Sequence, residues 1–303
     1  MSNIFTTDKK KKAVLISIYA TLAVIVCLLA TLLITQITTP DDIPEGGGQP
    51  QTPAVEFTDL TVTAEQSASG NLVIVNAEHQ WFIENDPTMV NIQETYPDIP
   101  CRIAYPSYKA NATALKHFND MITALYANKP DASILINAAY RSFADQTGAT
   151  PAGQSEYHTG LSFRLNHIES ATNPQTAVNA TSYAWLYEHA HEYGFIVRYP
   201  DAKSKITGLS GVENIFRYVG KTHATYMYEN DLCLEEYIQL LRGYTAEAPL
   251  VLKNANSEIY YARANELSQI KVPTRYAYTI SGDNAGGYIV TVNKSQRVTA
   301  TAQ

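Results

Sequence analysis

Residues Ser155–Asn166 read SEYHTGLSFRLN. The stretch carries one histidine, His158, with Tyr157 beside it and Arg164 six residues further on. Metal sites are built from neutral imidazole, thiolate or carboxylate, and a guanidinium cannot shed its proton to become a ligand. The segment therefore has the outline of a built pocket whose metal chemistry has been undone.

The surrounding composition places this pocket in a globular setting. With 45% hydrophobic and 17% charged residues in 303, the chain can bury one or two ordinary cores and does not have a disordered composition. Lys9–Lys12 precede AVLISIYATLAVIVCLLATLLIT, residues 13–35, which holds no charge across 23 positions. Such a run is long enough to span a hydrocarbon core of about 30 Å, and longer than the apolar region of a cleaved secretory signal. It predicts an uncleaved single-pass anchor, with residues 1–12 cytoplasmic under the positive-inside rule and the rest extracytoplasmic in the cell envelope. Without residues 1–12, which hold four lysines and one aspartate, the chain keeps 18 basic and 28 acidic side chains, a net of −10. Nucleic acid is a poor partner for such a surface. Cys101 and Cys233 share the exported part, but two thiols far apart in sequence fix no geometry, so pairing stays open. The triplets at Asn111, Asn179 and Asn293 matter only in a glycosylating host.

After the anchor, PDDIPEGGGQPQTP at 40–53 cannot bury a core, and residues 36–70 are expected to form a flexible stalk. NLVIVN at 71–76 reads as a strand. Residues 112–130 place Leu115, Phe118, Met121, Ile122 and Leu125 at helical spacing, with Pro130 as the stop. SILINAAYRSF at 133–143 reads as a buried strand entering a polar loop, and 182–195 as a helix closed by Gly194. IVRYP, FRYVG and LCLEEYIQLL add strand, strand and helix. No regular βαβ alternation appears, so the expected fold is α+β, an antiparallel sheet flanked by helices over 71–245. Residues 246–303 are expected to form a small β appendage and a polar tail.

The ordered pieces YRSFADQ, GQSEYHTGLSF, YGFIVRYP, KITG, FRYVG and LEEYI, within residues 71–243, resemble the zinc D-alanyl-D-alanine carboxypeptidases of the vancomycin-resistance type. Lysostaphin and the hedgehog signalling domain belong to the same superfamily. That family's first metal motif is Ser-x-His-x-x-Gly-x-Ala-x-Asp. Anchored on Ser155 and Gly160, it puts Tyr157 at the histidine ligand and Arg164 at the aspartate ligand. The later motif, Glu-x-x-His before an aromatic, Arg and Tyr, puts Val212 at the general base and Ile215 at the third ligand. Zinc-dependent peptide hydrolysis takes three protein ligands, an open position for an acidified water, and a carboxylate to take its proton. None of these four residues supplies its part, so the resemblance implies the fold and family without zinc, and a catalytic set with no member.

His158 and Glu213 sit one place from the ligand and base positions, but neighbouring strand residues face opposite ways, so neither is expected to rescue the site without a slip of register. The other histidines show no paired metal spacing. The resemblance also implies ligand-holding roles for Arg141, Gln146 and Ser155. Each has a bland reading beside it: an ion pair for Arg141, and loop or turn capping for Gln146 and Ser155. Arg164 adds an inward positive charge that is costly unless it meets an anion. Two expectations of different class follow. The chain is a tethered, non-catalytic module that binds peptidoglycan stem peptide or a cell-wall protein, or it is an active D,D-carboxypeptidase with rearranged ligands.

Overall fold

In the computed structural model, residues 56–84, 86–169 and 175–298 are described. The helix read from the 112–130 periodicity spans Ala112–Asn128. Its first free amides are met by Asn111, whose Oδ1 accepts from the Thr113 and Ala114 N–H groups at 3.0 and 3.1 Å. Ala114, Leu115, Phe118, Met121, Ile122 and Leu125 line its inner face, all fully buried.

This helix packs on a mixed sheet whose strands run, in spatial order, Arg102–Ile103, Ile134–Ala138, Ser162–His167, Ile215–Tyr218 and Phe195–Val197, with Thr176–Ala177 paired beside Ser162–His167. All pairings are antiparallel except that of Arg102–Ile103 with Ile134–Ala138. Alternation divides the sheet into two faces. Phe163, Leu165, Phe216, Tyr218 and Phe195 join the helix core, where Phe118 stacks on Phe163 with centroids 4.1 Å apart. Truncating Phe118 there would cost about 3–5 kcal/mol. Ser162, Arg164, Ile215 and Arg217 occupy the other face, in the register Ser162 to Arg217 and Arg164 to Ile215. An irregularity between Ile136 and Ala138 then brings Ala138 opposite Arg164.

Three expectations are corrected. NLVIVN is not a strand, although Leu72 to Val75 are buried. Side chains take part in satisfying its backbone: Arg217 donates to Asn71 O at 3.1 Å and Val73 O at 3.2 Å, and Ser281 Oγ accepts from Leu72 N at 2.9 Å. The segment assigned as stalk contains the strand Phe57–Thr61, paired antiparallel with Gln269–Pro273. The C-terminal segment is no separate appendage. Its four-stranded antiparallel sheet, Leu250–Leu252, Ser257–Ala262, Tyr288–Arg297 and Tyr276–Gly282, buries Leu250, Ile259, Tyr261 and Ile289 against Leu234, Tyr237, Ile238 and Leu241. Apolar side chains on both sides of residue 245 therefore share one core.

Cys101 and Cys233 are both free and buried, Cys101 in the helix core and Cys233 at the start of the helix Leu234–Leu241. Burial pushes each thiol up to about 12. Residues 13–35 lie outside the described residues, among which no helix is long and apolar enough to cross a membrane.

Candidate functional site

The quoted loop folds as one 3-10 turn, Glu156–Thr159, closed by Gly160 in a left-handed conformation with φ 65°. Glycine suits this left-handed position, where a Cβ would also crowd the Met89 side chain. Thr159 Oγ1 donates to Glu156 O at 2.8 Å and accepts from Leu161 N at 3.1 Å, fixing the passage into the strand.

Turn geometry sends Glu156 inward, and its carboxylate ties the loop to two strand regions. Oε1 accepts from Ser162 Oγ at 2.9 Å and from the Arg217 guanidinium, while Oε2 accepts from Arg198 Nε at 3.2 Å. Arg198 also grips Glu235 with two bonds of 3.1 and 2.7 Å. Burial opposes ionisation of Glu156, but Arg217 and Arg198 outweigh it and hold the carboxyl below its ordinary range. Sequence reasoning missed Glu156, Arg198 and Glu235 altogether. An acid flanked by residues that must pack was the available signal, but its partners lie far away in the chain. Arg217 and Tyr218, which follow the third ligand position in the motif, are buried.

On the neighbouring row lie the residues at the resemblance's metal and base positions. Arg164 and Ile215 are direct ladder partners, and Val212 O accepts from Ile215 N at 3.2 Å in a tight turn. Tyr157 lies in the electrostatic field of Arg164 and Arg141, and its ring carries the Arg141 guanidinium 4.9 Å from its centroid. Burial raises the phenol to about 12, against the lowering pull of the two arginines, so Tyr157 stays protonated at neutral pH. Tyr157 Oη and Arg164 Nε are both buried without a hydrogen-bond partner. The arginines in ion pairs are Arg198, Arg217, Arg242 and Arg275. Among the described residues, neither Arg141 nor Arg164 has a carboxylate at ion-pair distance.

The remaining candidates are placed as follows. Arg141 N donates to Tyr157 O at 3.3 Å, and His158 Nδ1 donates to Arg141 O at 2.8 Å. His158 Nε2 accepts from Gly153 N at 3.1 Å, which fixes the Nδ1–H tautomer and spends both nitrogens on the loop. Burial lowers its pKa first of all, so the ring is a neutral strut. Glu213 turns away to accept from Asp201 N at 2.9 Å. Ser155 is buried but its hydroxyl does not cap the turn. Gln146 folds onto its own loop, Nε2 donating to Thr150 O at 3.0 Å, while Oε1 is left without a partner. The structure thus brings Arg141, Tyr157, Arg164, Ile215 and Val212 together, and shows no contact between Gln146 and that group. A cavity of about 260 Å³ opens beside Arg141, between Glu84, Tyr140, Phe143 and His158. Among the described residues, no three His, Cys, Asp or Glu side chains are grouped to hold a metal ion.

Comparison with known proteins bears on the fold and the family. Residues 147–221 match the VanY family of D-alanyl-D-alanine carboxypeptidases. The chain is 32% identical over 248 residues to a D-alanyl-D-alanine carboxypeptidase of Enterococcus faecium, covering 77% of this chain and 78% of the relative. A second one, from Enterococcus faecalis, is 40% identical over 95 residues, 31% of this chain and 33% of that one. Among solved structures, the vancomycin-resistance D,D-dipeptidase VanXYg in complex with a D-Ala-D-Ala phosphinate analogue superposes with a TM-score of 0.66 at 25% identity, covering 78% of this chain and 99% of that one. Sharing this mixed α+β fold and most of its length with such relatives, the chain belongs to the D-alanyl-D-alanine carboxypeptidase family.

Proposed function

We propose that this chain is a membrane-tethered, extracytoplasmic member of the family that holds the carboxyl end of peptidoglycan stem peptides without cutting them. One observation carries the reading. At the positions where the family's metal and base would be held stand a phenol, a guanidinium and two aliphatic side chains, and Tyr157, Arg164 and Ile215 sit around one place beside Arg141. This donor set does not fit zinc. Ile215 and Val212 have no donor atom, Tyr157 keeps its proton, and Arg164 repels a cation. What the same place offers is positive charge, with Arg141 as the main carboxylate anchor and Ser155 as a polar group of the same loop, whereas Gln146 would have to leave its own loop to reach the ligand. Hydrogen bonds to charged groups contribute about 1.5–3 kcal/mol each, so a short peptide should bind with a Kd on the order of 10 μM to 1 mM. Kinship with named carboxypeptidases, and with a structure holding a D-Ala-D-Ala analogue, supports the peptide class.

The deciding experiment is elemental analysis of the purified full-length chain, together with release of D-Ala from a peptide ending in D-Ala-D-Ala. The expected result is less than one tenth of a zinc per chain, on the order of background, and no release. One zinc per chain with D-Ala release would restore the ordinary family activity. The combined changes Tyr157→His, Arg164→Asp, Val212→Glu and Ile215→His are expected to bring zinc back. For the tether, protease added to intact cells should remove residues beyond 36 and leave a short membrane fragment.

A further inference from the structure

The two orphaned atoms of the site have a chemistry in common. Arg164 Nε can only donate, and Tyr157, being protonated, has a hydroxyl hydrogen to give. Two buried donors, one on a half-buried guanidinium that has no carboxylate at ion-pair distance among the described residues, call for an acceptor that brings negative charge. The Arg141 guanidinium lies over the face of the Tyr157 ring, and the phenol feels both arginines, Arg164 more strongly than Arg141. A neutral peptide carbonyl offers one oxygen and no charge to this pair. A carboxylate offers two oxygens and the charge.

Resting on the peptide-binding reading above, we propose that Tyr157 and Arg164 form a second carboxylate subsite, so that this chain recognises stem peptides already shortened by one residue. In a zinc peptidase the metal polarises the scissile carbonyl. Arg164 stands at a ligand position for that metal, so its guanidinium addresses the same carbon. While the peptide is intact that carbon is an amide, and after trimming it is the new terminal carboxylate. The chemistry fits a reader of the product of D,D-carboxypeptidase action, the reaction class that must supply such ligands.

Calorimetric titration of the purified full-length chain tests this with a synthetic peptide ending in D-Ala-D-Ala, its counterpart ending in a single D-Ala, and the C-terminal amide of that shorter peptide. The shorter acid should bind about tenfold more tightly than its amide, as expected when a charge-assisted bidentate contact replaces a neutral one. Arg164→Met should level the two, and Tyr157→Phe, which keeps the ring under Arg141, should remove several-fold of the difference. Arg164→Lys retains the charge without Nε and should keep only part of it. Unchanged melting temperatures establish that the variants fold. Equal binding of shorter acid and amide, or a preference that survives Arg164→Met, overturns the proposal. Binding of the longer peptide alone overturns it while leaving the Arg141 reading intact. Failure of all three peptides to bind at millimolar concentration overturns both.

Discussion

Replacing Glu156 by Gln should be the most damaging conservative change in the domain. Among the described residues its carboxylate is the only acid at ion-pair distance from Arg217, which is fully buried, and it shares Arg198 with Glu235. Gln keeps the shape and one acceptor oxygen but removes the charge. Arg198 retains its two bonds to Glu235, while Arg217 is left with the carbonyls of Asn71, Val73 and Tyr218. Removing one partner from a buried pair costs about 3–5 kcal/mol, and a domain of this size loses about 2–4 °C per kcal/mol, so the Tm should fall by roughly 6–20 °C. Scanning calorimetry at neutral pH reads this directly. The pH dependence gives an independent check. Because the folded carboxyl is held below its ordinary value of 4.5, its contribution is fully present above that value and is lost as the pH falls through the folded value. Acidification below about pH 4.5 should therefore narrow the gap between wild type and variant. A drop of less than about 2 °C at neutral pH, or a gap that stays constant into acid, would refute the idea that this carboxylate fastens the loop.

Two further outcomes are expected. His223, bonded to Tyr237 Oη at 2.8 Å and Thr291 Oγ1 at 3.0 Å, is pushed by burial to about 4 from an ordinary 6.5. Protonation thus favours the unfolded chain, and stability present above pH 6.5 should decline towards pH 4 by up to about 3 kcal/mol, much less so in His223→Gln. An NMR signal of His223 titrating near 6.5 would contradict this. Cys101 and Cys233, buried with thiols raised to about 12, should resist Ellman's reagent in a Cys27→Ser background until denaturant is added. Labelling of either within seconds in native buffer would show that the burial is wrong.

What the sequence made legible was local or periodic. Leu115, Phe118, Met121, Ile122 and Leu125 announced the helix Ala112–Asn128, because one apolar face at helical spacing has few other ways to be buried. Arg164 and Ile215, which the motif spacing set at two ligand positions, are partners in one antiparallel ladder, a register that the turn ending at Gly160 leads into. NLVIVN misled because four apolar residues in a row say buried without saying strand. Partners of its backbone, among them the Arg217 guanidinium and the Ser281 hydroxyl, lie more than a hundred positions away. Phe57–Thr61 was hidden for a similar reason: its ladder partner, Gln269–Pro273, lies at the far end of the chain.

On the proposal made above, the same distinction accounts for how the fold would stand without the family's metal. A metal held at positions 157, 164 and 215 would cross-link the loop, the strand Ser162–His167 and the strand Ile215–Tyr218. One residue away in the loop and two along each strand, Glu156, Ser162 and Arg217 already join those three elements through a carboxylate. The opposite sheet face is fixed independently by Phe163, Phe216 and the helix core. With both fastenings in place, positions 157, 164, 212 and 215 are relieved of holding the loop and strands together. Selection on them is then free to act on what the pocket binds, and two donors without an acceptor are the trace such selection would leave.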